Sequence, residues 1–221
     1  MTEPSLTLGP ADLAPRARIR EAALRLYAGR GLRATSIRMV AEEAGLSPGA
    51  VMHHFKSKEE LAEAVQHAVV GTIRTAVSGV GLDQPPHVAA RTRRLAFDQL
   101  IAGNPLIAGY IRQVTLEGGP AGLALFTEAF DLVREEMRTL VEAGIARPLP
   151  DPEIGLVLYR AINLAHIVFG PLIEQMLNVS LADPAVVERF REAAVDLLTR
   201  PVFTEPPGPT VSSPSAEQDN G

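Results

Sequence analysis

The sequence predicts an all-α fold. Apolar residues recur at i, i+3, i+4 and i+7 through most of the chain, and no window keeps a two-residue alternation. A polar residue followed by proline stands where four of these stripes begin: Ser47-Pro48, Asn104-Pro105, Asp151-Pro152 and Asp183-Pro184. Such a pair supplies a capping side chain and a residue already shaped for the first helical position. About nine helices are expected. They divide into a flexible arm at 1–14, a three-helix unit at 15–60, a larger helical part at 61–203, and a disordered Pro/Ser/Gly-rich tail at 204–221.

The first helix runs from Pro15 or Arg16 to Ala28, with Ile19, Ala22, Ala23, Leu26 and Tyr27 on one apolar stripe. Gly29-Arg30-Gly31 ends it. The second begins near Thr35 or Ser36, and its apolar face is Ile37, Val40, Ala41 and Ala44. Gly45 suits the left-handed position after a helix end. Ser47-Pro48 restarts the chain for a third helix reaching about Phe55, in which Val51 and Phe55 bury together. Ser57 to Glu60 reads as a capping box opening a long fourth helix, to Val77 or Val80. Further helices are expected at 86–102, 105–118, 120–143, from 152 onward, and at 184–199. The one from 152 should kink or divide at Gly170-Pro171.

Two short helices joined by a tight turn form a helix-turn-helix, whose second helix enters the major groove of double-stranded DNA. The charge distribution agrees. The chain carries −5 overall, but Arg16 to Glu60 holds nine basic and five acidic residues, and 61–221 holds twelve against nineteen. Positive charge therefore concentrates where phosphate would be met.

The ordered set Gly45-Leu46-Ser47-Pro48-Gly49-Ala50, then His54-Phe55, then Lys56-Ser57-Lys58-Glu59-Glu60-Leu61, together with the stripe of the first helix, resembles the TetR/AcrR family of bacterial transcriptional regulators. The resemblance covers about the first quarter of the chain. It implies a three-helix DNA-binding domain joined by the fourth helix to a larger domain that binds a small-molecule effector and forms a homodimer through its last two long helices. The expected protein is a transcriptional regulator, a repressor released from a palindromic operator by its effector.

Thr35 and Ser36 lie at a helix N-terminus suited to a phosphate, and Arg38 can reach a phosphate or a guanine edge. Pro48, Gly49, Ala50, Met52 and His53 form the expected base-facing surface. His54 and Lys58 match positions where the family contacts the backbone, and Arg16, Arg18, Arg20, Lys56 and Lys58 supply the salt-dependent attraction. Met52 is a departure: the family often has tyrosine there, whose hydroxyl can bond a phosphate.

In the larger part, Phe97, Tyr110, Gln113, Phe126, Phe130, Tyr159, Asn163 and His166 are candidates for the effector pocket. For each aromatic, plain core packing is the competing reading. Asn163 and His166 could equally bond across a core or a dimer seam. The helices near 152–178 and 184–199 carry more apolar surface than one small core needs, and a second subunit would cover it.

His53 and His54 diverge by about 100° on a helix and cannot easily share an ion, so no metal site is expected. The chain has no cysteine. No nucleophile elbow, phosphate loop or cofactor fingerprint is present, so neither catalytic residues nor a cofactor is expected. Arg160, Asn163, His166 and Glu174 interrupt the most apolar run, 154–177, which argues for a buried helix over a membrane span. With no secretory signal, a cytoplasmic protein is expected. The competing readings are a DNA-bridging structural protein without effector, and a helical enzyme carrying a DNA-binding head.

Overall fold

The computed structural model describes residues 15–81 and 83–199; the expected arm at 1–14 and tail at 204–221 lie outside the described residues. Ten helices follow in order, with no strand among those residues: α1 (Pro15–Arg30), α2 (Ile37–Ala44), α3 (Pro48–His54), α4 (Lys58–Ser78), α5 (Pro86–Ala102), α6 (Pro105–Glu117), α7 (Gly119–Glu142), α8 (Pro152–Val168), α9 (Gly170–Leu177) and α10 (Pro184–Thr199). The tenth arises where the eighth predicted helix divides. Gly170-Pro171 breaks the hydrogen-bond ladder, and α8 and α9 meet at 64°. No single helix among the described residues is long and apolar enough to cross a membrane.

α1 sits at the centre of the N-terminal half. Ile19, Ala22, Ala23 and Tyr27 are fully buried among Val40, Ala41, Val51, Phe55 and Leu61 of α2, α3, α4 and the adjoining turn. Leu26, expected on that stripe, is only partly covered, whereas Leu24 and Ala28 are buried. The reason is a second contact. α6 lies against α1 so closely that a side chain at Gly109 would sit 2.9 Å from the Ala28 carbonyl oxygen. Nor does α1 stop at Ala28: Gly29 and Arg30 remain helical, and Gly31 makes the turn at φ +86°.

The proline-marked starts form as expected. Ser47, Asn104 and Asp151 each accept a hydrogen bond from the backbone N–H three residues on. α2 ends on Gly45 at φ 66°, ψ 38°, with the Leu46 N–H donating to the Ala41 carbonyl at 2.9 Å. That left-handed closure needs no Cβ at Gly45 and fixes the angle between α2 and α3. At Ser57 the hydroxyl accepts from Glu60 N–H at 3.0 Å, while the Glu60 carboxylate receives the Lys56 N–H at 2.8 Å, one residue before the reciprocal partner of a standard capping box.

Candidate nucleic-acid interface and ligand cleft

In α3, Val51 is buried and holds the helix to α1 and α2, so Pro48, Gly49, Met52 and His53 face outward. Ala50 and His54 are partly covered. The His53 and His54 rings meet edge to face at 5.4 Å, and among the described residues no group of three His, Asp or Glu could hold a metal ion. A Cβ on Gly49 would meet nothing nearer than Ser47 Oγ at 3.9 Å. Internal packing therefore gives no reason for glycine there. Met52 is 42% exposed.

The basic residues divide into two groups. Arg38 and Lys56 are exposed. Arg16 and Arg18 are instead used internally. Arg16 donates to the His54 carbonyl at 2.6 Å with its guanidinium 4.3 Å from the Phe55 ring centre, and Arg18 donates to the Ala44 carbonyl at 2.9 Å. Each closes the C-terminus of a helix, where cations are favoured. Lys58 reaches the Arg33 carbonyl at 3.2 Å. Ser36 caps α2 through Met39 N–H. Thr35 departs from the expectation of a phosphate contact. It is 2% exposed, and its hydroxyl donates to the Gly31 carbonyl at 2.7 Å. It fastens the entry to α2 and offers nothing to solvent.

A residue absent from the sequence-based candidates joins this unit to the rest. The Glu117 carboxylate, at the end of α6, accepts the Leu32 and Arg33 N–H groups at 3.2 and 3.1 Å. Arg33 returns a hydrogen bond to the Glu117 carbonyl at 3.0 Å. A side chain on Gly31 would collide with that carboxylate. No short motif in the sequence marks a pairing separated by more than eighty residues.

The described body contains a partly open cleft between α4, α5, α6, α7 and α8. Of the eight pocket candidates, it is lined by Phe97 and Phe126. Phe130 is buried alongside, stacked on Phe126 at 6.5 Å and covered by Arg134. Tyr110 is fully buried in the seam with α1, where its hydroxyl and that of Tyr27 have no hydrogen-bond partner. Burial pushes the Tyr27 hydroxyl up to about 12 and raises that of Tyr110 further. Gln113 faces Gly31, on the same seam.

Tyr159, Asn163 and His166 belong to a polar cluster between α5 and α8. Arg94 donates to Asp98 at 2.9 Å and to the Asn163 side-chain oxygen at 2.5 Å, and Asn163 donates to the Tyr159 carbonyl at 2.8 Å. His166 is buried with Nε2 unpartnered, and burial followed by the Arg94 charge lowers its pKa, favouring the neutral ring. Asn163 and His166 were visible as polar interruptions of an apolar helix, and Tyr159 as an aromatic candidate. Their common partner, Arg94, lies 69 residues from Asn163 and carried no local signal.

The cleft wall is completed by residues the sequence did not single out: Val70, Ile73, Ile111, Leu125, Leu132 and Leu164. Three charged residues also line it, Arg74, Glu128 and Arg160. Arg74 and Glu128 pair with each other. Arg160 lies 5.8 Å from the Phe97 ring centre; its Nε is buried and unpartnered, and burial, then the neighbouring Arg94 charge, push its pKa down to about 10.

A small helical unit with an outward-facing recognition helix, joined to a helical body with a cleft, defines a helix-turn-helix DNA-binding regulator. Residues 19–65 match the family model described as bacterial regulatory proteins, tetR family. The chain is 29% identical over 203 residues to the HTH-type transcriptional regulatory protein RaaS of Mycobacterium tuberculosis, spanning 81% of this chain and 93% of that one. It is 28% identical over 134 residues to the HTH-type transcriptional repressor KstR2 of Rhodococcus jostii, covering 59% of this chain and 65% of the relative. The fold matches SmeT, the repressor of the Stenotrophomonas maltophilia multidrug efflux pump SmeDEF, with a TM-score of 0.64 at 24% identity, over 83% of this chain and 88% of that one. It also matches PfmR of Thermus thermophilus, with a TM-score of 0.59 at 23% identity, over 82% and 97%. Residues 19–65 thus carry the DNA-binding domain of the tetR family, and the chain is similar over most of its length to a DNA-binding transcriptional regulator.

Proposed function

We propose that the protein is a homodimeric repressor, without enzymatic activity, whose 15–60 unit reads a palindromic operator and whose 61–203 body takes a small-molecule effector that releases it. Pro48, Gly49, Ala50, Met52 and His53 are the base-facing set, with Ser36, Arg38, His54, Lys56 and Lys58 on the backbone and Thr35 as a positioning residue. The two faces of α6 carry the link between the sites. Ile111 and Thr115 line the cleft, while Gly109, Gln113 and Glu117 on the opposite face meet α1 and the turn after it. A ligand that shifts α6 therefore acts directly on the helix holding the reading head.

The dimer reading rests on α8. Leu156, Leu164 and Ile167 face the core, while Ile154, Val157, Leu158 and Ile162 form an exposed apolar stripe along the other side. Leu172 and Met176 of α9 extend that surface at 66% and 75% exposure. A contiguous apolar face of this kind marks an interaction site, and a second copy of α8 and α10 is the economical cover.

Selection of sites from a random DNA pool tests the function. A palindrome should emerge, with half-site centres roughly 34–36 Å apart or somewhat more. If about three to five charges per subunit meet phosphate, the logarithm of affinity should fall with that of salt at a slope of about −5 to −9 for the dimer. Sequence-indifferent recovery would favour a DNA-bridging protein instead.

A further inference from the structure

We propose that the cleft takes an amphiphilic anion, a carboxylate or sulfonate on an elongated apolar body, whose charge is read by Arg160. This deepens the effector reading above and rests on it. The cleft is walled chiefly by apolar side chains, among them Phe97, Ile111, Leu125, Phe126 and Leu164. Into it Arg160 brings a cation whose Nε is buried without a partner. The two other charged residues on the wall neutralise each other, since Arg74 pairs with Glu128. The nearby carboxylate does not serve Arg160 either: Asp98 accepts from Arg94, which also holds Asn163.

Arg160 is partly buried, its Nε has no partner, and no carboxylate pairs with it among the described residues, which is unfavourable for a side chain serving packing alone. An anion seated against it gains charge-assisted hydrogen bonds from a planar donor fork, while its apolar body covers the aromatic and aliphatic wall. A neutral ligand leaves the cation unanswered, and a cationic one meets Arg160 with the wrong sign.

The test compares decanoate with 1-decanol, which share an apolar chain and differ in head-group charge. Binding to the full-length protein is followed by titration calorimetry. Decanoate should bind at least about tenfold more tightly than decanol, the range expected of a hydrogen bond to a charged group. Arg160→Met should lose that preference while keeping decanol affinity, which also reports an intact cleft. Arg160→Lys, which keeps the charge without the fork, should retain part of it. Equal binding of the two probes, binding of neither, or an undiminished preference in Arg160→Met would overturn the proposal. Operator affinity is measured separately with and without decanoate. Protein that binds operator but not decanoate overturns the ligand class and leaves the regulator reading standing. Decanoate bound with no change in operator affinity upholds the ligand class and overturns effector release.

Discussion

The N-terminal unit and the helical body close their surfaces in different ways. In the head, α2, α3 and α4 are each capped by a serine beside their first turn, and α2 and α3 are closed at their C-termini by Arg18 and Arg16. Its large apolar side chains, Ile19, Val40, Val51, Phe55 and Leu61, are 0–1% exposed. Buried polar atoms without a partner occur in both regions, at Arg20 and Tyr27 in the head and at Asp98, Tyr110, Arg160 and His166 in the body, but the body also turns an apolar face of α8 and α9 to solvent. The head's apolar core is closed by its own helices, whereas the body carries an apolar face that its own helices leave open.

The largest effect should come from the outward face of α8. Leu158 is 59% exposed, so Leu158→Arg costs the monomer little. In a dimer seam the same change buries an unpaired charge. Sedimentation should show monomer, and affinity for a palindromic site should fall by about 10²–10⁴-fold as the two heads lose their linkage. An unchanged dimer would mean that another surface makes the contact.

The same contrast explains what could be read from the sequence. Helix starts and the turn at Gly45 are set by residues within four positions of one another, so periodicity and capping chemistry exposed them. Helix 8 was visible as too apolar for one side, and α8 buries one face and exposes another. The cleft could not be read in this way. Phe97 and Phe126 stood out as aromatics, but Arg160 and Leu164 line the same wall only because α5, α7 and α8 converge. Tyr110 looked like a pocket residue for the same reason it is a seam residue: both settings ask for a large, mostly apolar side chain. Thr35 illustrates the limit inside the head, since a hydroxyl at a helix entrance serves a phosphate or a neighbouring carbonyl with equal chemistry, and here it takes Gly31.

Core deletions should separate the regions next. Phe55→Ala removes a fully buried ring and should destabilise the protein by about 3–5 kcal/mol, read by denaturant unfolding. Arg160→Met should do the opposite and raise the thermal midpoint, because it removes a partly buried charge without a counter-ion. A loss of stability there would assign Arg160 a packing role and erase the contrast.

Glu117→Ala tests whether the head is complete apart from its seam. It frees the Leu32 and Arg33 N–H groups and should lower stability by about 1 kcal/mol. Hydrogen exchange should quicken at those two amides, while the Met39 and Ala50 amides, held by Ser36 and Ser47, keep their protection. Equal loss at all four would show that the head depends on the body throughout.

The smallest change should be Gly49→Ala, and its two readouts should move in opposite directions. The position is helical, and a Cβ there would stand clear of every neighbour except Ser47 Oγ at 3.9 Å. Alanine restricts the unfolded chain more than glycine does, so the thermal midpoint should rise by the equivalent of about 0.4–1 kcal/mol. If α3 brings its backbone close to the DNA at this point, the same methyl group should weaken operator binding. A gain in both stability and affinity would mean that α3 docks with Gly49 turned away from the groove, leaving Met52 and His53 to carry the base-facing surface.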